Sequence, residues 1–313
     1  MKTATCTLCN SRFEGNYHYG VGALVNSLYL HGFRGVVWVG YRGDLPPWTN
    51  NVTIYQDYHE FAVAEGCVIR FILLTTPVHF ANYKPNFMLQ LWEHNCPEAD
   101  ALFYIDPDIV IKCRWSFFEE WVSNGIALSQ EIVNAYMPSN HPIRLFWKEF
   151  AECKGYRCHH QLNQYFNGGF VGLCKNHQSA LSLWQDLLED LEKFGVDLAK
   201  FMQGDRTHPF LSPDQDTLNL MAMTTPHPLT TIGPEGMDFV PGGFTMSHAV
   251  GTPKPWQKFM IYEALRGKAP SSADKGYWQH TQSPIQLYSQ QKLFWKQVDV
   301  RCGGAIGRFI RRS

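Results

Sequence analysis

The sequence has no charge of one sign to spare: 27 Lys and Arg against 28 Asp and Glu leave a net charge of −1. A protein that binds nucleic acid through phosphate contacts normally carries a basic excess, so the balance argues against that partner and toward small ligands. Cysteines are too few and too scattered, 9 in 313 residues, to staple so long a chain, and free thiols in a reducing compartment are expected. No window approaches the ~18 consecutive apolar residues of a membrane span. The first residues lack the charged region, apolar block and small-residue cleavage site of a signal peptide, so a cytoplasmic location is expected. Internal repeats and low-complexity blocks are also missing. What remains is ample for a large buried core: 45% hydrophobic and 14% aromatic residues exclude disorder.

The positive signal is an alternation of strand and helix. Residues 3–9 read as a strand and 10–16 as a turn, on Asn10, Ser11, Gly15 and Asn16. Val21, Leu24, Val25, Leu28 and Tyr29 fall on one helical face, with Gly32 placed to cap it. Strand-like runs follow at 36–39 and 67–74, a helix at 86–95, a strand at 101–105, a short helix at 117–122, and strands at 125–129 and 170–173. Leu181, Trp184, Leu187, Leu188, Leu191 and Phe194 mark a long amphipathic helix whose acidic residues face solvent. This order predicts an α/β fold, Rossmann-like, with a mainly parallel mixed sheet flanked by helices. Beyond Trp256 periodicity fades into a Pro/Ser/Gly-rich passage and a tail bearing Arg301, Arg308, Arg311 and Arg312.

Ligands of such sheets sit at the carboxyl ends of strands. Asp106-Pro107-Asp108 follows the run 102–105 directly, and in an extended chain residues i and i+2 point to one side. Two carboxylates so placed repel and lose hydration unless a cation joins them, which makes metal binding the economical reading; a surface turn is the alternative. A second constellation, His248, Gly251 and Lys254 in a Pro-containing loop ending at Trp256, offers an imidazole, a glycine that admits backbone to phosphate, and an ammonium.

Together these stretches resemble the retaining nucleotide-sugar glycosyltransferases of GT-A fold that include glycogenin and bacterial lipopolysaccharide galactosyltransferases (family 8-like). The family's Asp-x-Asp is matched by Asp106 and Asp108, and its His-x-x-Gly-x-x-Lys-Pro-Trp by His248, Gly251, Lys254, Pro255 and Trp256. Its Asn-x-Gly-(x)-Phe is matched by Asn167, Gly169 and Phe170, and its Asp-Gln before a helix by Asp214 and Gln215. Tyr83-Lys84-Pro85 resembles the donor-contacting segment, and Thr7-Leu8-Cys9-Asn10 the end of the uridine-binding first strand. The family's tyrosine after that strand is replaced by Phe13 or Tyr17.

The resemblance implies a GT-A catalytic domain over residues 1–262 and a C-terminal extension with a basic tail over 263–313. It implies Mn²⁺ (or Mg²⁺) on Asp106, Asp108 and His248. A UDP-sugar donor would be held by Leu8, Asn10, Lys84, Asp106, Asn167, Gly251 and Lys254, with Asp214 and Gln215 as the catalytic pair. The sugar would pass with retention of configuration to a saccharide or lipid-linked acceptor. The tail, with Phe309 and Ile310 among its arginines, reads either as a peripheral contact with the inner face of a membrane or as a solubilising terminus. Two rival readings stand beside it: a haloacid-dehalogenase-type phosphatase, which the acid pair alone also fits, and a glycosyltransferase-like protein that binds sugar without turnover.

Overall fold

A computed structural model describes residues 7–134 and 136–310. The first part of the expected strand, 3–6, and Arg311 and Arg312 of the tail lie outside the described residues. The strands are β1 (Thr7–Glu14), β2 (Gly35–Arg42), β3 (Thr53–Ile54), β4 (His59–Ala64), β5 (Cys67–Leu73), β6 (Ala101–Ile105), β7 (Ile109–Ile111), β8 (Ile126–Gln130), β9 (Phe166–Cys174), β10 (Leu229–Ile232) and β11 (Met246–His248). The helices are α1 (His18–Leu30), α2 (Lys84–Gln90), α3 (Trp115–Val122), α4 (Pro142–Cys153), α5 (Ser179–Lys193), α6 (Pro213–Thr224), α7 (Met260–Leu265), α8 (Ser272–Gln279) and α9 (Gln290–Ile310). Nine strands hydrogen-bond in the order β10-β8-β9-β6-β1-β2-β5-β4-β3, and β11 pairs with β7 apart from them. The fold is α/β with a mixed sheet: β6-β1, β2-β5 and β8-β10 are parallel, while β9, β4 and β3 enter antiparallel.

The chain forms two compact units. The first holds residues 7–10, Leu74–Ile105 and Ser116–Pro234. Its β6 is buried at all five positions, which is why 101–105 reads as an unbroken apolar run. Trp184, Leu187, Leu188 and Leu191 of α5 are buried as their spacing requires, each contributing on the order of 1.5–3 kcal/mol. Helix α2 begins at Lys84 rather than 86 and passes into a π turn over Leu91–Asn95. Asn167-Gly168-Gly169 lies inside β9, not ahead of it.

The second unit holds Ser11–Leu73, Asp106–Trp115 and residues 235–310. The turn expected over 10–16 is displaced: β1 runs on to Glu14 with Ser11, Arg12 and Phe13 buried, and the chain turns at Gly15, where φ is +57°. Burial in a strand has overridden the turn preference of Asn and Ser. On α1, Val21, Leu24, Val25 and Leu28 are buried, and Gly32 follows at φ +95°, as the cap reading requires. Asn26 ties α1 to the C-terminal region, donating to the carbonyls of His280 and Ile285 at 2.8 Å and accepting from the Ile285 N–H at 2.7 Å.

The aperiodic stretch after Trp256 is in fact largely helical. Helix α9 buries Leu293, Asp299, Gly303 and Gly307, so its packed side carries glycines and a carboxylate where a periodicity search looks for leucine. A Cβ at Gly303 would fall 2.8 Å from the Met260 carbonyl and one at Gly307 2.3 Å from the Ala269 Cβ. Asp299 accepts from the N–H groups of Met260 and Ile261, both at 3.0 Å, satisfying donors that the start of α7 leaves without a partner inside the helix. Among the described residues no helix is long and apolar enough to cross a membrane.

Candidate metal and donor-binding residues

The expected site residues fall into two clusters, one in each unit. In the second unit, Asp106-Pro107-Asp108 forms a tight turn closed by the Ile109 N–H on the Asp106 carbonyl at 3.1 Å. The two carboxylates therefore converge through a turn, not through the pleat of an extended strand. The antiparallel pair β7-β11 sets His248 opposite Ile109, and the Ala249 N–H donates to the Asp108 carbonyl at 3.0 Å. His248 Nε2 then lies 3.2 Å from Asp108 Oδ1 and 3.9 Å from Asp106 Oδ2. One ligand atom from each of the three side chains lies within 4.8 Å of the others. An octahedral ion at about 2.0–2.1 Å sets its ligand atoms roughly 3–4 Å apart, so this donor set needs only a small contraction to close on one.

The cluster is braced from behind. Lys112 Nζ donates to both Asp238 oxygens, at 2.7 and 2.8 Å, and to the Gly243 carbonyl at 2.6 Å, while Ser247 Oγ donates to Asp238 Oδ2 at 2.5 Å. On the α1 side, a Cβ at Gly20 would stand 2.2 Å from the Pro107 carbonyl oxygen, so only glycine lets the helix approach the turn this closely.

Lys254 donates to the second Asp108 oxygen, and to the Ala249 carbonyl at 2.8 Å. Burial alone would raise the Asp108 carboxyl, but His248 and Lys254 outweigh it and hold the group below the usual carboxylate range. Burial likewise works to lower Lys254, and Asp108 more than offsets it, so the ammonium is raised and stays charged. The Tyr17 ring lies 5.8 Å from Lys254 Nζ and edge-on to Trp256 at 5.4 Å. Its hydroxyl is raised by burial first, with Lys254 opposing and Asp108 and Asp106 reinforcing. Of the two aromatic candidates, Tyr17 therefore stands beside the acid cluster, whereas Phe13 is a core residue stacked on Tyr41 at 5.9 Å. Gly251 has φ +77° and open space around a Cβ, so glycine serves backbone conformation there.

In the first unit, Lys84 Nζ donates to Asp214 Oδ2 and to the Gly168 carbonyl, each at 2.7 Å. Gln215 Oε1 accepts from the Gly168 N–H at 2.8 Å, so Lys84 and Gln215 both fasten onto β9 at one residue, and Asp214 is tied to it through Lys84. Asn167 donates to Glu131 and accepts from the Gly169 N–H at 2.8 Å. Asn10 sits in β1 with its amide donating to the Phe103 carbonyl at 3.0 Å, and Leu8 is buried in the same strand.

Two residues of this cluster lie outside the sequence motifs. Glu131 follows β8 directly, and the rule that drew attention to the acid pair, residues just beyond a strand end, also finds it. Asp216 shares the first turn of α6 with Asp214; it accepts from the Tyr165 hydroxyl at 2.6 Å and from the Ser212 N–H at 2.8 Å. Burial first, and Asp214 beside it, raise its carboxyl to about 7 against those two hydrogen bonds.

No family model and no curated protein matches the sequence. Among solved structures, the chain is similar to the apo structure of the bifunctional glycosyltransferase WbbM, with a TM-score of 0.56 at 15% identity over 95% of this chain and 53% of that one. The chain has a glycosyltransferase fold. It spans about half the length of the structure it resembles.

Proposed function

We propose that the protein is a metal-dependent glycosyltransferase that moves a hexosyl group from a UDP-sugar to a hydroxyl of a saccharide or lipid-linked acceptor, with retention of anomeric configuration. The observation that carries this reading is the convergence of Asp106, Asp108 and His248 in a chain of glycosyltransferase fold. Two carboxylates with an imidazole suit Mn²⁺, or Mg²⁺, better than softer ions. A divalent ion held there would act as a Lewis acid, neutralising charge on the departing diphosphate.

The chain's own groups divide the remaining work. Lys254 is charged, buried and held against Asp108, so its ammonium would be available to diphosphate oxygens once the carboxylates held a divalent ion, with the Gly251 backbone beside it. Tyr17 and Trp256 offer ring faces for the base, and Leu8 and Asn10 lie on the strand assigned to uridine. Lys84 fixes Asp214 and β9 together, which orders Asp214, Asn167 and Gln215 to hold the sugar and the reacting carbon. The catalytic domain is assigned to residues 1–262, with 263–313 as its extension. Thermal-shift measurements with UDP, GDP and ADP, each with and without Mn²⁺, test the reading. UDP with Mn²⁺ should stabilise the wild type most and leave Asp108→Ala unmoved; equal stabilisation of both proteins sinks it.

A further inference from the structure

A cavity of about 470 Å³ lies within the first unit, at the N-terminal end of α4. It is lined by Ser139, Asn140, Arg144, Lys148, His159 and His160 among others, and among the described residues no carboxylate belongs to its wall. Arg144 is only 1% exposed. Its Nε donates to the Met137 carbonyl at 2.6 Å and its Nη2 to the Gln164 carbonyl, while Nη1 is buried with no partner among the described residues. A guanidinium this deep normally faces a carboxylate, because an uncompensated buried charge is costly. Here its bonded partners are neutral carbonyls, and burial pushes the group down to about 10, which leaves it protonated at neutral pH.

The surrounding groups extend the same pattern. Lys148 of the wall pairs with Glu152 at 3.8 Å, both side chains more than half exposed, while among the described residues no carboxylate hydrogen-bonds Arg144. His160 Nε2 bonds the His227 carbonyl at 2.9 Å, which orients its ring. The start of α4 adds the partial positive charge of a helix N-terminus, with the Ile143 N–H already taken by the His141 side chain. A volume of this size suits a monosaccharide rather than a lone ion.

We propose that this cavity binds a small acidic saccharide, a sugar acid or a sugar phosphate, whose oxyanion pairs with Arg144. The carboxylate or phosphate supplies the missing counter-charge, and Ser139, Asn140 and the histidines offer hydrogen bonds to the hydroxyls. The inference does not rest on the proposed transfer reaction. Isothermal titration in EDTA of the full chain with glucuronate, glucose 6-phosphate, inorganic phosphate and glucose tests it. At least one acidic sugar should bind saturably and at least tenfold more tightly than glucose and than inorganic phosphate. Asn140→Glu, which places a carboxylate at an exposed position of the wall, should weaken that binding at least tenfold with an unchanged melting temperature; Arg144→Lys should do so through loss of the guanidinium fork. Asp108→Asn should bind the acidic sugar as the wild type does. Equal affinity for glucose, equal affinity for phosphate alone, undiminished binding by Asn140→Glu, or loss in Asp108→Asn would each overturn the assignment.

Discussion

Replacing Lys84 with methionine removes an ammonium while keeping most of the side-chain volume. Lys84 and Asp214 have side chains only 3% and 5% exposed, and their contact is 2.7 Å. Solvent-exposed pairs are worth about 0–1 kcal/mol, whereas removing one partner of a buried pair costs about 3–5 kcal/mol because the other charge is stranded. The Gly168 carbonyl also loses its donor, so Lys84→Met should cost about 4 kcal/mol. Lys193, paired with Asp190 at 3.4 Å but 67% exposed, is the internal control, and Lys193→Met should cost less than about 1 kcal/mol. Urea unfolding followed by circular dichroism reads both. In the double variant Lys84→Met/Asp214→Leu, which strands no charge, a large part of the loss should return. If Lys84→Met is no more harmful than Lys193→Met, or if the double variant is as unstable as the two single losses summed, the buried pair does not carry this stability.

Three further outcomes follow from the same geometry. Asp216, raised to about 7 in the fold against roughly 3.9 unfolded, keeps a proton that the unfolded chain releases, so its contribution to stability falls as pH rises from about 4 to about 7 and is flat above. That is on the order of 4 kcal/mol in all, and Asp216→Asn should flatten the stability–pH profile over that window; an unchanged slope counts against the buried carboxyl. Gly20→Ala should press a methyl onto the Pro107 carbonyl, cost about 1–3 kcal/mol in urea unfolding and weaken Mn²⁺ binding, because the carbonyl belongs to the turn between the two acids. Gly251→Ala, with open space and only its φ of +77° to satisfy, should cost about 1 kcal/mol.

Much of the site was legible because its residues lie in short local patterns. The acid pair follows an apolar strand, and the His248–Lys254 loop has fixed spacing, so both announce themselves without tertiary information. Their convergence was also foreseen, although its cause was not: a tight turn and the β7-β11 pairing bring the groups together, and neither has a hydrophobic period long enough to detect. The C-terminal helices were missed for a different reason. Where α9 packs, Gly303 and Gly307 admit the neighbouring chain, so close packing replaced the leucine stripe that reveals α5. Glu131 sits where the strand-end rule points, but its role, like that of Tyr165, depends on a partner distant in sequence, Asn167 and Asp216 respectively. Pairings of that kind emerge only once β9 and α6 are in place.

Whether Asp106, Asp108 and His248 hold one divalent cation between them is read most directly by an electron paramagnetic resonance titration with Mn²⁺. The wild type should take up one tightly held ion per chain, and Asp108→Asn and His248→Ala should each weaken it at least tenfold while melting within a few degrees of the wild type. Stoichiometric Mn²⁺ binding that survives both substitutions, or no tight binding by the wild type with UDP present, would rule out a cation site on these three residues.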